Sequence, residues 1–238
     1  MSFYIIRRMT LIYESSNKKT RISKTGENRY QITFPYQSNT KIFWTNFPWK
    51  KLKRIESSDE GITRNYVFKA QSVQTLAQFL AREGKHLSYE QTLTFFTQIG
   101  NYIKSLERFN IGILSLELSD FIVVNDTDFF LVEDTKSVKI WNKEIEIKDP
   151  SVLKKYQKNK FVAPEIKKIN SFPTRILALS AYYNVAAITI FCLLNKYLAN
   201  ESPTIQEKLL GPIYQTKLYW GLQRCLQKDP EKRFFLII

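Results

Sequence analysis

The hydrophobic period of the chain changes once, near Ser72, and that change limits the fold more than any other feature. Before it, short runs rich in Thr, Tyr, Phe, Ile and Trp are broken by polar turns. "LIYES", "RYQITF", "KIFWTNF" and "GITRNYVFKA" read as β-strands, with "SNKK" and "KTGEN" as turns. After it, apolar residues recur every three or four positions. "SVQTLAQFLAREG" places Val73, Leu76, Phe79 and Leu80 on one helical face and stops near Gly84. Ser88 and Gln91 form a capping-box signature. Behind them, Leu93, Phe96, Ile99, Ile103 and Leu106 predict an amphipathic helix to about Phe109. The runs 121–124 and 129–132, joined by "NDTD", read as a hairpin with a four-residue loop. A polar, Lys-rich segment follows to about Phe161, then an apolar helix at 181–194 and a helical segment at 218–226. Strands first and helices later give an α+β fold in two lobes. Residues 1–70 form a small antiparallel β-lobe, and 71–238 form a mainly helical one.

The 238 residues, with 17 Phe and 13 Tyr, suffice for a sizeable core. The net charge is +14, and the excess is local. Residues 1–70 carry 14 Lys/Arg against 5 Asp/Glu, and 136–168 carry 10 Lys against 4 acidic residues. Such segments suit anionic partners: nucleic acid, acidic lipid or an acidic protein face. Cys192 and Cys225 stand alone in apolar stretches, which predicts buried, reduced thiols and a cytoplasmic compartment. One histidine, His86, and two scattered cysteines argue against a zinc site or a Ser-His-Asp triad. The run 181–194 is too short to cross a bilayer and contains Asn184 and Thr189, so no transmembrane segment is expected within it. The final "FFLII" reads either as a helix start or as the start of a membrane segment.

Four pieces between Tyr66 and Arg233 resemble the eukaryotic-type protein kinase family. "NYVFKAQSVQTLAQFL" is similar to its last N-lobe strand, hinge and first C-lobe helix. "LSYEQTLTFFTQIGNYIKSL" is similar to the long helix before the catalytic loop. "FVAPEI" matches the A-P-E motif, with Ala163, Pro164 and Glu165 in place, and "CLQKDPEKR" matches a late D-P-x-x-R stretch ending at Arg233. The resemblance implies a bilobal kinase-like fold and a largely buried ion pair between Glu165 and Arg233.

It also implies chemistry that the residues do not supply. Phosphoryl transfer requires phosphates and metal to be surrounded by accurately placed charge. No Gly-x-Gly occurs, and the first seventy residues hold Gly26 in a turn where a phosphate loop would be expected. Lys24 and Lys41 are the candidates for the nucleotide-binding strand lysine, with Glu56 or Glu60 as its partner carboxylate. In "GILSLELSDFIVV", His-Arg-Asp is missing and Phe121 stands at the asparagine position. Leu116 or Glu117 replaces the catalytic aspartate, depending on one gap. Asp120 is the second catalytic candidate. Glu133 falls at the metal-binding aspartate and Asp134 one residue later, so this pair is the candidate magnesium site. The aspartate that braces the loop in the family falls at Ala181 or Tyr182, so the loop is expected to have no brace.

The matches fall on packing and the losses on chemistry. The reading is a pseudokinase: a regulatory or scaffolding module whose basic segment 136–168 docks an acidic protein surface, with ATP and Mg²⁺ as the cofactors of any surviving site. The alternatives are an atypical Ser/Thr kinase using Glu117 or Asp120 with Glu133 or Asp134, and a basic nucleic-acid-binding protein, which the charge favours but no motif supports.

Overall fold

Aromatic residues of the first seventy positions set the sheet. The computed structural model describes residues 9–36, 38–198 and 203–235. It begins with β1 (Thr10–Glu14), β2 (Arg21–Gly26) and β3 (Arg29–Pro35), then helix α1 (Ser38–Thr45), β4 (Lys53–Glu60) and β5 (Thr63–Lys69). The strands pair antiparallel in the order β1-β2-β3-β5-β4. Tyr30, Ile32 and Phe34 of β3 stand beside Tyr66 and Phe68 of β5 on the buried face, as period-two alternation requires.

The segment "KIFWTNF" overturns its strand reading. Ile42, Phe43, Trp44 and Phe47 face inward from α1 and the turn after it, stacking under the sheet. Trp44 lies 4.4 Å from the Phe34 ring, and the Tyr102 hydroxyl donates to the Phe43 carbonyl at 2.8 Å. The bulky side chains favour a strand locally, but burying them against both the sheet and the helical body selects the helix. Conversely, β4 was not legible. All eight of its residues are exposed, so no apolar alternation marks it.

Beyond Ala70, β6 (Val73–Thr75) pairs with β8 (Phe121–Val124), and β8 with β9 (Asp128–Leu131). Val73 therefore lies on a strand and not on the helical face assigned to it. Thr75 instead caps α2 (Leu76–Arg82), with Gln78 completing the capping box. Helix α3 (Tyr89–Arg108) carries the Ser88/Gln91 box as expected. The hairpin loop is one residue shorter than expected. Val124 pairs with Asp128, and Asn125 and Asp126 make the turn with φ of 52° and 63°. Asn and Asp tolerate that left-handed backbone better than most residues.

The Lys-rich segment is structured. β7 (Ile111–Ile113) pairs with β10 (Ser137–Lys139), and β11 (Glu144–Ile147) pairs with β12 (Thr174–Leu177). Between β11 and β12 lie α4 (Pro150–Gln157) and α5 (Pro164–Lys167). Helix α6 (Ser180–Leu194) is apolar all round, and 12 of its 15 residues are buried, which makes it the centre of the helical body. Helices α7 (Pro203–Leu210) and α8 (Lys217–Cys225) follow. Among the described residues no helix is long and apolar enough to cross a membrane. Cys192 and Cys225 are free and buried, as expected. The start of "FFLII" splits. Phe234 is exposed, whereas Phe235 packs on Phe96 and closes over Gly100, where any side chain would strike its ring. Residues 236–238 lie outside the described residues.

Glu165 of α5 and Arg233 meet as expected. The guanidinium grips the carboxylate with both terminal nitrogens, one at 3.0 Å, while Nε donates to the Gln227 carbonyl at 2.8 Å. The Arg233 side chain is fully buried and Ser180 Oγ donates to the same carboxylate at 2.6 Å. Burial works to raise the Glu165 carboxyl, and Arg233 and Ser180 outweigh it, holding the group below its ordinary value. Arg233→Met is expected to lose about 3–5 kcal/mol in urea unfolding, because it strands a buried carboxylate. The double variant Arg233→Met/Glu165→Leu is expected to recover much of that loss. Equal losses in the two would show that the pair contributes through packing alone.

Candidate functional site

The hairpin β8–β9 carries three carboxylates into the joint between the sheet and the helical body. Asp120 ends a short turn just before β8, and Val132 N–H donates to its carbonyl at 2.9 Å. Its side chain is 2% exposed. Both carboxylate oxygens accept from Lys136 Nζ, at 2.9 and 2.7 Å, and Oδ2 also accepts from the Glu117 amide at 2.6 Å. The Glu117 carboxylate is 42% exposed and lies 3.7 Å from the same ammonium. Burial pushes the Asp120 carboxyl up while Lys136 and the Glu117 amide pull it back, leaving it at about 7.

Glu133 and Asp134 follow β9 and reach toward the first seventy residues. Glu133 Oε2 accepts from the Tyr13 hydroxyl at 3.1 Å and from the Ser16 amide and hydroxyl at 3.0 Å each. Its other oxygen accepts from the Thr135 amide at 3.2 Å and from the Thr135 hydroxyl. Burial alone would raise this carboxyl, but these donors outweigh it and hold the group below its ordinary value. The Tyr13 phenol is driven far up, first by burial and then by the Glu133 and Asp120 charges, so it stays a donor. Asp134 Oδ2 accepts from Trp44 Nε1 at 2.8 Å and from Thr20 Oγ1 at 3.2 Å, while Oδ1 is buried with no partner among the described residues. Burial, reinforced by the Glu133 charge, raises Asp134 to about 6. The turn between β1 and β2 and the helix α1 are thus hydrogen-bonded onto Glu133 and Asp134.

The candidate lysines are not in this joint. Lys24 is exposed on β2, its ammonium 5.8 Å from the Tyr30 ring centroid. Lys41 is exposed on α1, 5.6 Å from the Tyr36 ring centroid, so its strand reading falls with that of "KIFW". β3, the strand before α1, holds no lysine. Glu56 and Glu60 are exposed on β4, with Glu56 paired to Arg29. The cation in the joint is Lys136, 3% exposed, which the sequence reading placed in a docking surface. Its position two residues after the Glu133–Asp134 pair was the available signal. Trp44 was missed because its segment read as a strand.

The loop 114–116 is braced, contrary to expectation. Asn159 Nδ2 donates to Ser115 Oγ and to the Leu116 carbonyl, both at 2.7 Å. Asn184 of α6 donates to the Leu114 carbonyl at 3.2 Å and accepts from the Ala163 amide at 3.1 Å. Ala181 and Tyr182 stand where the resemblance puts the family's bracing aspartate. The bracing side chain is an asparagine one turn further along the helix. Leu116 itself is fully buried.

Among the described residues no group of three or more His, Cys, Asp or Glu side chains is placed to hold a metal ion. A cavity of about 340 Å³ lies between the end of α1, α3 and β9, lined by Asn46, Lys51, Gln98, Tyr102 and Phe130 among others, and touches none of the three buried carboxylates. The chain matches no protein-family model and no curated protein.

An acid whose folded pKa lies above its unfolded one keeps its proton in the folded chain after the unfolded chain has lost it. Asp134 and Asp120 therefore favour folding in acid, and that contribution is lost as pH rises from about 4 through 6 and 7. Asp134→Asn keeps an acceptor for Trp44 and Thr20 without the charge. Near pH 8 it is expected to exceed the wild type by about 1–3 kcal/mol in denaturant unfolding, with the gap narrowing as pH falls below about 6 and closing near pH 4. A gap that does not change with pH would show that Asp134 ionises at no cost.

Proposed function

We propose that the chain is a kinase-like domain without phosphotransfer that works as a regulatory or scaffolding module for a protein partner. One observation carries this reading. The carboxylates at the positions of the metal-binding motif, Glu133 and Asp134, are bonded to Ser16, Thr20, Tyr13 and Trp44 of the same chain. The turn that approaches them is the one between the first two strands, and not the turn at Gly26 where a phosphate loop was expected. In place of glycines that expose amides to a triphosphate, it brings hydroxyl donors that saturate a carboxylate. Of the two catalytic candidates, Asp120 has both oxygens on Lys136, and Glu117 lies 3.7 Å from the same ammonium.

The architecture supports the same reading. α1 and β4 supply the helix and the strand that the resemblance requires before the last N-lobe strand. The Glu165–Arg233 pair and the braced loop retain its supports without its reactive groups. The partner surface in this proposal is the basic segment after Lys136. Lys154, Lys155, Lys158 and Lys160, on and just after α4, are all exposed. They give an acidic protein face a salt-sensitive contact.

A thermal-shift titration with ATP and Mg²⁺ tests the loss of the nucleotide site. A ligand at about 100 times its Kd stabilises a folded protein by about 2.7 kcal/mol, a shift of several degrees in Tm. No shift is expected, and no radiolabelled phosphate should reach the chain itself or a basic test protein. A shift of several degrees together with transfer that Asp134→Ala abolishes and Asp126→Ala retains would establish the active-kinase alternative instead.

A further inference from the structure

β4 closes one side of the five-stranded sheet, and all eight of its residues are exposed. Such an edge presents backbone N–H and C=O groups that another strand can bond, and proteins usually blunt it with like charges or a bulge. β4 has charges and a bulge, but arranged differently. Lys53 and Arg54 stand at its start, Asp59 and Glu60 at its end. Run antiparallel to itself, the strand lays its basic end on its acidic end.

The bulge makes this register possible. Opposed residues of an antiparallel pair share a face of the sheet. In a regular eight-residue strand the first and last residues point to opposite faces, so Lys53 could not oppose Glu60. The pairing with β5 puts Arg54 opposite Phe68 and Glu56 opposite Val67, leaving Ile55 as the extra residue. Lys53, Glu56, Ser58 and Glu60 consequently lie on one face, and Arg54, Ser57 and Asp59 on the other. The contacts agree. The Arg54 guanidinium sits 5.7 Å from the inward Tyr66 ring centroid, and Asp59 lies 3.0 Å from Arg64, opposite Phe34.

We propose that β4 is a homodimerisation edge, with two copies joined antiparallel through β4 about a twofold axis at Ser57. Glu56 then meets the copy's Ser58, Arg54 the copy's Asp59 and Lys53 the copy's Glu60, each pair on a common face. A twofold axis repeats every contact, so four opposite-charge pairs form at once. Exposed pairs contribute little affinity each, so they fix register while backbone hydrogen bonds hold the strands. The chain's overall charge of +14 opposes association. At physiological salt, screening over about 8 Å weakens that repulsion while sparing pairs in contact. One strand edge is smaller than the usual stable interface of about 1,200–2,000 Å², so the dimer is weak, with a Kd on the order of 10–100 µM.

Sedimentation of the full chain, over a concentration series spanning that Kd, is expected to show the 28.1 kDa monomer giving way to a species of twice the mass. Lys53→Glu/Arg54→Glu and Asp59→Lys/Glu60→Lys are each expected to raise the Kd at least about tenfold, since like charges then oppose across the pair. Their equimolar mixture should restore the dimer, because each variant supplies the other's complement. Independently, Ser57→Cys on the axis is expected to cross-link under mild oxidation. Ser58→Cys is not, because its two Cα atoms lie beyond the roughly 7 Å that a disulfide spans. The native thiols are buried, and this arm leaves every charge in place, so it reads the register even where a charge variant fails to fold. A chain that stays monomeric throughout the series, a mixture no better than its components, or Ser58→Cys linking as fast as Ser57→Cys would each overturn the proposal.

Discussion

Among the described residues the joint of this protein buries three carboxylates and one ammonium, which pairs with only one of them, and the rest of the arrangement follows from that imbalance. Asp120, Glu133 and Asp134 are each under 5% exposed, and so is Lys136. An uncompensated carboxylate in such a place is costly, so each must find donors or keep its proton. Asp120 takes the ammonium. Glu133 takes a phenol, two hydroxyls and two amides. Asp134 has an indole N–H and one hydroxyl, an unpartnered oxygen and a raised pKa. The donors for Glu133 and Asp134 come largely from β1, the following turn and α1, so satisfying these carboxylates is also what fastens the sheet to the helical body.

The same bonds determine what the joint can do. A carboxylate saturated by fixed donors is a poor base and a poor metal ligand, because its lone pairs are committed in geometries that a substrate cannot displace without opening the turn at Ser16. Asp120 has both of its oxygens on Lys136 Nζ, so a proton taken up there weakens that ion pair. The loop between Leu114 and Leu116, held by Asn159 and Asn184, is rigid for structural reasons. The bracing of the loop and the donors around Glu133 are therefore both parts of the packing that holds the joint together.

Much of the fold was legible where residues act locally. The capping box at Ser88, the apolar stripe of α3, the all-apolar α6 and the hairpin runs of β8 and β9 are properties of neighbouring residues, and each appears close to where it was read. The pairing of Glu165 with Arg233 was legible only through resemblance, since nothing local connects residues so far apart in the chain. In the site, Asp120, Glu133 and Asp134 were found as acidic residues beside strands. Their partners were not. Lys136 looked like one more surface lysine in a basic segment, and Ser16, Thr20 and Asn159 carry no signal in an isolated sequence.

By itself the sequence determined the period of each long element, the excess of positive charge and the absence of the glycine and histidine patterns that phosphate or zinc chemistry needs. Tertiary structure decided that "KIFWTNF" is a helix, that Val73 belongs to a strand, and that an exposed polar octapeptide pairs with β5. It also decided that one lysine of a basic segment is buried against Asp120. The physical reason is the same in each case. Helix period, caps and charge are summed over neighbours in the chain, whereas the burial of an aromatic ring, the pairing of a polar strand and the desolvation of a charge depend on groups brought together only when the chain closes on itself.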